Sequence, residues 1–226
     1  MKLGVNTKEK ILSVAEKLFM ENDHEEVSVR RICAAAGVSN GSFYHHIGSK
    51  ENLIKMIYYS SDEMGIKIFL QKSKNKDTFE KIELIADIYT DFALKYGPKF
   101  CKHIIFLKLS DGFDDSETYL LGSQMKLLIK DACSNNYFTD EYTEDFILAM
   151  FLTTIRGFAY EWSTQNGAGD LKNYTLSGIK ILINQFKINW YKYKNHPFWS
   201  VLHLGWFLNF ITKSHCSLCF KIRQKL

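Results

Sequence analysis

At 226 residues, 46% of them apolar, the chain can fill one or two domains with a real hydrophobic core. Its five irregularly spaced cysteines argue against a disulfide framework, and no run reaches the roughly 18 apolar residues that a membrane-spanning helix requires. The formal charge of +4 is unevenly held: residues 187–226 carry seven basic side chains and no acid, leaving 22 basic against 25 acidic groups in residues 1–186.

The N-terminus is polar, with no apolar stretch before residue 11, so no secretory signal is expected and a soluble, cytoplasmic protein is predicted. Only two prolines occur, Pro98 and Pro197, which favours long helices and an all-α fold. In chain order the first complete unit is residues 28–53, SVRRICAAAGVSNGSFYHHIGSKENL. Ser28 has the chemistry of a helix N-cap, and the short apolar helix behind it ends at Gly37, where a left-handed turn favours a residue without Cβ. Val38 turns the chain, and Ser39 caps a second short helix carrying Asn40, Ser42, Tyr44, His45 and His46. Ile32, Ala35, Val38, Phe43 and Ile47 are the expected inner face that locks the two helices. Neither helix is long enough to be stable alone in water, so packing must hold both. The outer face keeps Asn, Ser, Tyr and His, groups that suit base edges and phosphates.

This unit resembles the DNA-binding head of the TetR family of bacterial transcription regulators. The resemblance covers residues 7–57: a first helix TKEKILSVAEKLF over residues 7–19, then Val29, Arg30 and Ile32, then Ala36-Gly37-Val38-Ser39. It continues through Gly41-Ser42-Phe43-Tyr44-His45-His46 to Ser49-Lys50-Glu51-x-Leu53. Where the family often has a Gly after the first helix, this chain has Asp23-His24. Asn and Asp tolerate left-handed backbone better than most residues, so a slightly altered turn is expected. The resemblance implies that Arg30 reaches a base edge, where a guanidinium can grip guanine bidentately, with a phosphate contact as the alternative. Asn40, Gly41 and His45, at the exposed start of the second helix, are the remaining candidate base readers; Gly41 would serve by close backbone approach. Ser28, Ser39, Ser42, Tyr44 and Lys50 are candidate phosphate anchors, although capping alone also accounts for Ser28 and Ser39. His46 either packs or meets phosphate. Because residues 1–186 are slightly acidic, the basic groups must concentrate on the head. Lys2, Lys8, Lys10, Arg30, Arg31 and Lys50 are expected to form that face, with Glu21, Asp23, Glu25 and Glu26 turned away.

Beyond the head the pattern stays helical. Ser49 caps a helix over 50–72 whose Leu53, Ile54, Ile57 and Tyr58 must pack on the head. A polar run over 71–77 separates it from a helix over 78–96, and Gly97-Pro98 breaks the chain before another helix ending near Leu109. Residues 110–115 read as a loop, and further helices are expected over 117–133, 140–164 and 170–190. The last two resemble the helices with which many TetR-like regulators dimerise. Ala149, Gly157 and Ala159 would permit close approach, and Ile179, Ile181, Leu182, Ile183 and Phe186 would line the seam. The competing reading is that these residues fill the subunit's own core. The family also implies a small-molecule effector among the body helices, for which Phe92, Tyr96, Phe106, Tyr119, Met125, Met150 and Trp162 are the candidate wall. Each of these side chains could equally be plain core.

The expected division is therefore a helix-turn-helix domain over 1–50, an effector-binding and dimerisation domain over 51–190, and a basic aromatic extension over 191–226. The last forty residues hold three of the four tryptophans and match nothing in the family pattern. An extra packed helix, a segment lying on a membrane or protein partner, and an unpacked or non-native extension all remain open for it. His215, Cys216 and Cys219 are too few for a zinc site, so no metal is assigned. No phosphate loop, nucleophile elbow or HExxH motif appears, so neither catalytic residue nor cofactor is assigned. The expected function is a ligand-responsive homodimeric repressor on a palindromic operator in double-stranded DNA. A TetR-like module whose tail targets a membrane or protein is the alternative.

Overall fold

Each helix start that the sequence marks with a small polar residue is capped by it. The structure, a computed structural model, describes residues 6–109 and 120–188. The helices are α1 (Thr7–Glu21), α2 (Val29–Ala36), α3 (Asn40–His46), α4 (Lys50–Lys72), α5 (Thr78–Leu109), α6 (Leu120–Ser134), α7 (Glu144–Thr164) and α8 (Leu171–Phe186). Side-chain oxygens of Asn6, Ser28, Ser39, Ser49, Thr143 and Asp170 accept a backbone N–H of the first turn of α1, α2, α3, α4, α7 and α8. Those N–H groups have no partner within the helix, and each cap is worth about 1 kcal/mol. The all-α expectation is met. Among the described residues the one extended pairing is an isolated antiparallel bridge between Phe138 and Lys187. No described helix is long and apolar enough to cross a membrane.

The sequence-predicted bounds hold closely for α4. The expected break at Gly97-Pro98 divides α5 into two arms, with Gly97 at φ 81° and ψ 168°. Pro98 has no N–H to offer the preceding turn, and Cys101 Sγ instead donates to the Ala93 carbonyl across the break at 3.8 Å. Burial pushes the Cys101 thiol up to about 12, so it acts as a packing group. The expected 110–115 loop and the extension from residue 191 lie outside the described residues.

The apolar side chains collect around two main centres. The head cluster takes Ile11, Ala15 and Phe19 from α1, Ile32, Cys33 and Ala36 from α2, and Phe43 from α3. It is completed by Leu53, Ile54 and Ile57 of α4 and by Tyr96, Phe100, Ile104 and Leu107 of α5. The body cluster is built on Phe69, Ile82, Ile85, Met125, Ile129, Phe138, Ile147, Phe151, Ile155, Ile179, Ile183 and Phe186. One expectation for the head is corrected: Ala35 is exposed, and Cys33 and Ala36 do the packing. In a helix running Val29–Ala36, the inward positions beside Ile32 are the next residue and the one four on. Two glycines let body helices meet closely. A Cβ on Gly65 would stand 2.6 Å from Leu121 Cδ1, and one on Gly178 would stand 2.8 Å from Phe158 Cε2.

Candidate DNA-reading face and ligand cavity

Helix α3 is short, and its geometry is set by what lies behind it. Gly37 takes φ 61° and ψ 40°, the left-handed conformation that ends α2 and turns the chain into α3. Ser39 Oγ accepts the Ser42 N–H at 3.1 Å, and Phe43 is fully buried beneath the helix. With that side locked, Asn40, Gly41, Tyr44, His45 and His46 are all exposed, and Ser42 is half-buried. Gly41 has room: a Cβ there would find nothing nearer than Ser39 Oγ at 3.8 Å. The subunit's own packing therefore gives no reason for glycine at this position.

Arg30 and Ser28 are exposed at the start of α2, with Ser28 Oγ accepting the Arg31 N–H at 3.2 Å. Lys50 opens α4 half-buried; burial pulls its ammonium below the ordinary lysine range, while the charges of Glu51 and Glu25 act against that shift. Arg31 departs from expectation. Its guanidinium binds Asn22 Oδ1 at 2.8 Å and the Glu26 carbonyl at 3.3 Å, so it braces the link between α1 and α2 instead of joining a basic face. That link is the altered turn foreseen at Asp23-His24. It forms without left-handed backbone: Asn22 is extended, and His24–Glu26 make one 3-10 turn. The nearby acids face the body. Asp23 pairs with Lys99 of α5, and Asp23, Glu25 and Glu26 line a groove with Lys99, Lys102 and Phe106. Lys10 was expected on the basic face, and its ammonium lies 3.6 Å from where a Gly37 Cβ would be, over the turn between α2 and α3.

In the body, a half-open cavity of about 320 Å³ lies among α1, α4, α5 and the start of α6. Of the residues expected to hold an effector, the structure brings Phe92 and Tyr96 together on its wall, their ring centroids 4.7 Å apart. Met125 is fully buried in the body cluster, and Trp162 packs with Ala93, Cys101 and Leu171 in a small third cluster. Phe106 is 63% exposed on the second arm of α5, Met150 is exposed on α7, and Tyr119 lies outside the described residues. Residue type alone missed most of the wall: Glu16, Tyr58, Ser61, Asp62, Met64, Ile68, Ile88, Lys95 and Leu121. Asp62 accepts the N–H groups of Leu120 and Leu121 at 2.6 and 3.3 Å. Burial nevertheless raises its pKa against those two bonds. Glu16 shows the opposite balance. Burial would raise its pKa, but hydrogen bonds from Lys95 and Tyr96 and the charge of Lys95 hold it below the ordinary carboxylate value. No local sequence signal marks Glu16, because it reaches the cavity from the first helix of the head.

On α7 and α8 the seam candidates divide. Ala149 and Gly157 are exposed, Ala159 is half-buried, and a Cβ on Gly157 would meet nothing within 4 Å. Ile181 is 67% exposed and Leu182 half-buried, whereas Ile179, Ile183 and Phe186 are enclosed by their own subunit.

Residues 11–57 match the family described as "Bacterial regulatory proteins, tetR family". The chain is 36% identical over 63 residues to the HTH-type transcriptional regulator UidR of Escherichia coli, covering 28% of this chain and 32% of that protein. It is 44% identical over 48 residues to the HTH-type transcriptional repressor AcnR of Corynebacterium glutamicum, covering 21% and 26%. These matches span about a third or less of the relatives' length. The fold extends further: the transcriptional regulator FadR of Bacillus subtilis, in complex with stearoyl-CoA, superimposes with a TM-score of 0.58 at 16% identity, over 77% of this chain and 96% of that one.

Proposed function

We propose that the chain, whose residues 11–57 match the TetR family of bacterial regulatory proteins, is a sequence-specific transcription regulator of that family. It acts as a homodimer that represses from a two-fold-symmetric operator and leaves the DNA when a small molecule fills the body. Residues 1–50 read DNA, and residues 51–190 sense the ligand and dimerise. The observation that carries this reading is the outer side of α3, where Asn40, Tyr44 and His45 are exposed over the buried anchor Phe43. Exposed Arg30 at the start of α2 adds a side chain able to read guanine. Ser28, Ser39, Ser42, Tyr44 and Lys50 fix the register on phosphates.

Two heads must sit about 34–36 Å apart to enter successive major grooves, which calls for a two-fold partner. The outward sides of α7 and α8 favour that partner: Ala149, Gly157, Tyr160, Tyr174 and Ile181 are small or apolar and are not covered by their own subunit. A ligand can shift such a dimer only by its difference in affinity between the DNA-competent and DNA-incompetent states. The cavity supports a ligand site, and the acyl-CoA in the B. subtilis FadR complex is a precedent for a ligand on this fold. Footprinting on the DNA upstream of the chain's own gene, with excess nonspecific competitor at physiological salt, tests the reading. A protected site with two-fold symmetry is expected. Failure to select any site from a genome-wide DNA pool would sink it.

A further inference from the structure

The polar corner of the cavity ties α1 to α5 through a single acceptor. Glu16 Oε1, on α1, receives hydrogen bonds from Lys95 Nζ and from the Tyr96 hydroxyl of α5, both at 2.7 Å. The Tyr96 oxygen accepts in turn from Lys95 at 3.3 Å and lies 2.9 Å from Ser61 Oγ on α4. Of the two donors, Tyr96 belongs to a fixed wall and Lys95 is exposed beside it. Tyr96 is buried and stacked on Phe100 with ring centroids 4.7 Å apart, and Lys95 Nζ lies 4.6 Å from the Tyr96 ring centre. The acceptor is the half-buried side chain of Glu16 on α1. Next to this corner the wall becomes apolar along Met64, Ile68, Ile88, Phe92 and Leu121.

We infer that the cavity takes an apolar monocarboxylate whose carboxylate replaces that of Glu16 on Lys95 and Tyr96, and that this exchange unties α1 from α5. The inference rests on the ligand-responsive reading above and names the ligand class and the first step of the response. The exchange is neutral in charge, because one carboxylate leaves for water as another enters and Lys95 is never left without a counter-ion. A cationic ligand meets carboxylates that are already engaged within the chain. Asp62 is held by two backbone N–H groups, and Lys172 approaches Asp87 at 2.9 Å and Asp91 at 2.7 Å. The Asp87 contact is an ion pair without hydrogen-bond alignment, yet it still answers the charge. A polyanionic head group is also mismatched, since the wall offers Lys72 and Lys95 against Glu16, Asp62, Asp87 and Asp91. The apolar strip takes the hydrocarbon or aromatic part.

The test titrates the full chain with hexanoate, decanoate, benzoate and 4-phenylbutyrate, each beside its amine and alcohol counterpart, by calorimetry and thermal shift. At least one acid should bind saturably and at least tenfold more tightly than its counterparts. Tyr96→Phe, which keeps the stacked ring, and Lys95→Met should each weaken that acid at least tenfold. Glu16→Gln should instead tighten it severalfold, because the internal competitor is gone; a merely structural Glu16 would not do this. No saturable acid, an amine that binds best, or weaker acid binding by Glu16→Gln would each overturn the site. Footprinting is scored separately. An acid that binds without lowering operator occupancy overturns the untying step, while a protein that selects no DNA fails the regulator reading whatever its ligand binding.

Discussion

The head and the body solve the same packing problem in opposite ways. The head contains α2 and α3, of 8 and 7 residues, too short to hold themselves. It therefore draws on long neighbours: Leu53, Ile54 and Ile57 from the first half of α4, and Phe100, Ile104 and Leu107 from the second arm of α5. The body is made of long helices that bury one another, and close approach at Gly65 and Gly178 tightens the contacts. Their surfaces differ accordingly. The head turns polar and imidazole side chains outward on α3, whereas α7 and α8 turn out Tyr160, Tyr174 and Ile181. One surface suits a hydrated polyanion, and the other suits a second protein surface. Along α5 the body's cluster gives way to the head's between Tyr89 and Phe92, ahead of the break at Gly97.

The sharpest way to break this contrast is to truncate one α5 side chain that serves the head. Phe100→Ala should cost about 3–5 kcal/mol, as should Phe151→Ala in the body core. Hydrogen exchange separates them: Phe100→Ala should speed exchange of the α2 and α3 amides more than Phe151→Ala does. Equal effects on those amides would mean that the two clusters open as one.

A second pair of substitutions sharpens the difference between inner and outer glycines of the body. Gly178→Ala pushes a methyl into Phe158 and should cost about 1–3 kcal/mol in denaturant unfolding. Gly157→Ala meets open space within the subunit. It should leave monomer stability unharmed and, if the outward side of α7 is the dimer seam, weaken self-association in sedimentation. An unchanged sedimentation profile would remove Gly157 from the seam.

On the head, Arg30→Ala should lose about 1–3 kcal/mol of discrimination between correct and altered operators. Lys50→Ala should weaken all sequences alike and lower the salt slope by about 1. Gly41→Ala should raise stability by up to about 1 kcal/mol, as expected for replacing a glycine within a helix, yet lower operator affinity. Undiminished operator affinity would free Gly41 from any role at the groove.

The smallest effect concerns the tie between α1 and α5. The pKa of Glu16 is lowered in the folded chain, so its contribution is present above the ordinary carboxylate value and is lost as pH falls through the folded one. Because Lys95 and Glu16 are partly exposed, the loss should be under about 1 kcal/mol. Urea unfolding of the wild type and Glu16→Gln should differ at neutral pH and converge in acid. A difference that persists in acid would assign the effect to something other than this ion pair.

Much of the head was legible because its signals are local. Ser28, Ser39 and Ser49 announce helix starts from their own chemistry, Gly37 announces a left-handed turn, and Gly97-Pro98 announces a break. Ala35 was misplaced because three consecutive alanines in one short helix look alike until the neighbouring helix picks a side. Arg31 looked like part of a basic face because charge says nothing about distance, and Asn22 and Glu26 hold it through a turn with no simple signature. The cavity was the least legible part. Large side chains on body helices were the natural candidates, but among those described only Phe92 and Tyr96 line it.

The amino-acid sequence by itself determined the helical elements, their caps and the helix-turn-helix unit, because those depend on residues within a turn or two of each other. It also determined which α3 side chains stay polar, since Phe43 marks the buried side of that helix. Only the tertiary structure decided which apolar residues share a core and how far the head's packing reaches into α5. It alone placed Glu16 against Lys95 and Tyr96, about eighty residues along the chain. Contacts at such separation depend on how whole helices cross, and periodicity within a single helix carries no record of its partner.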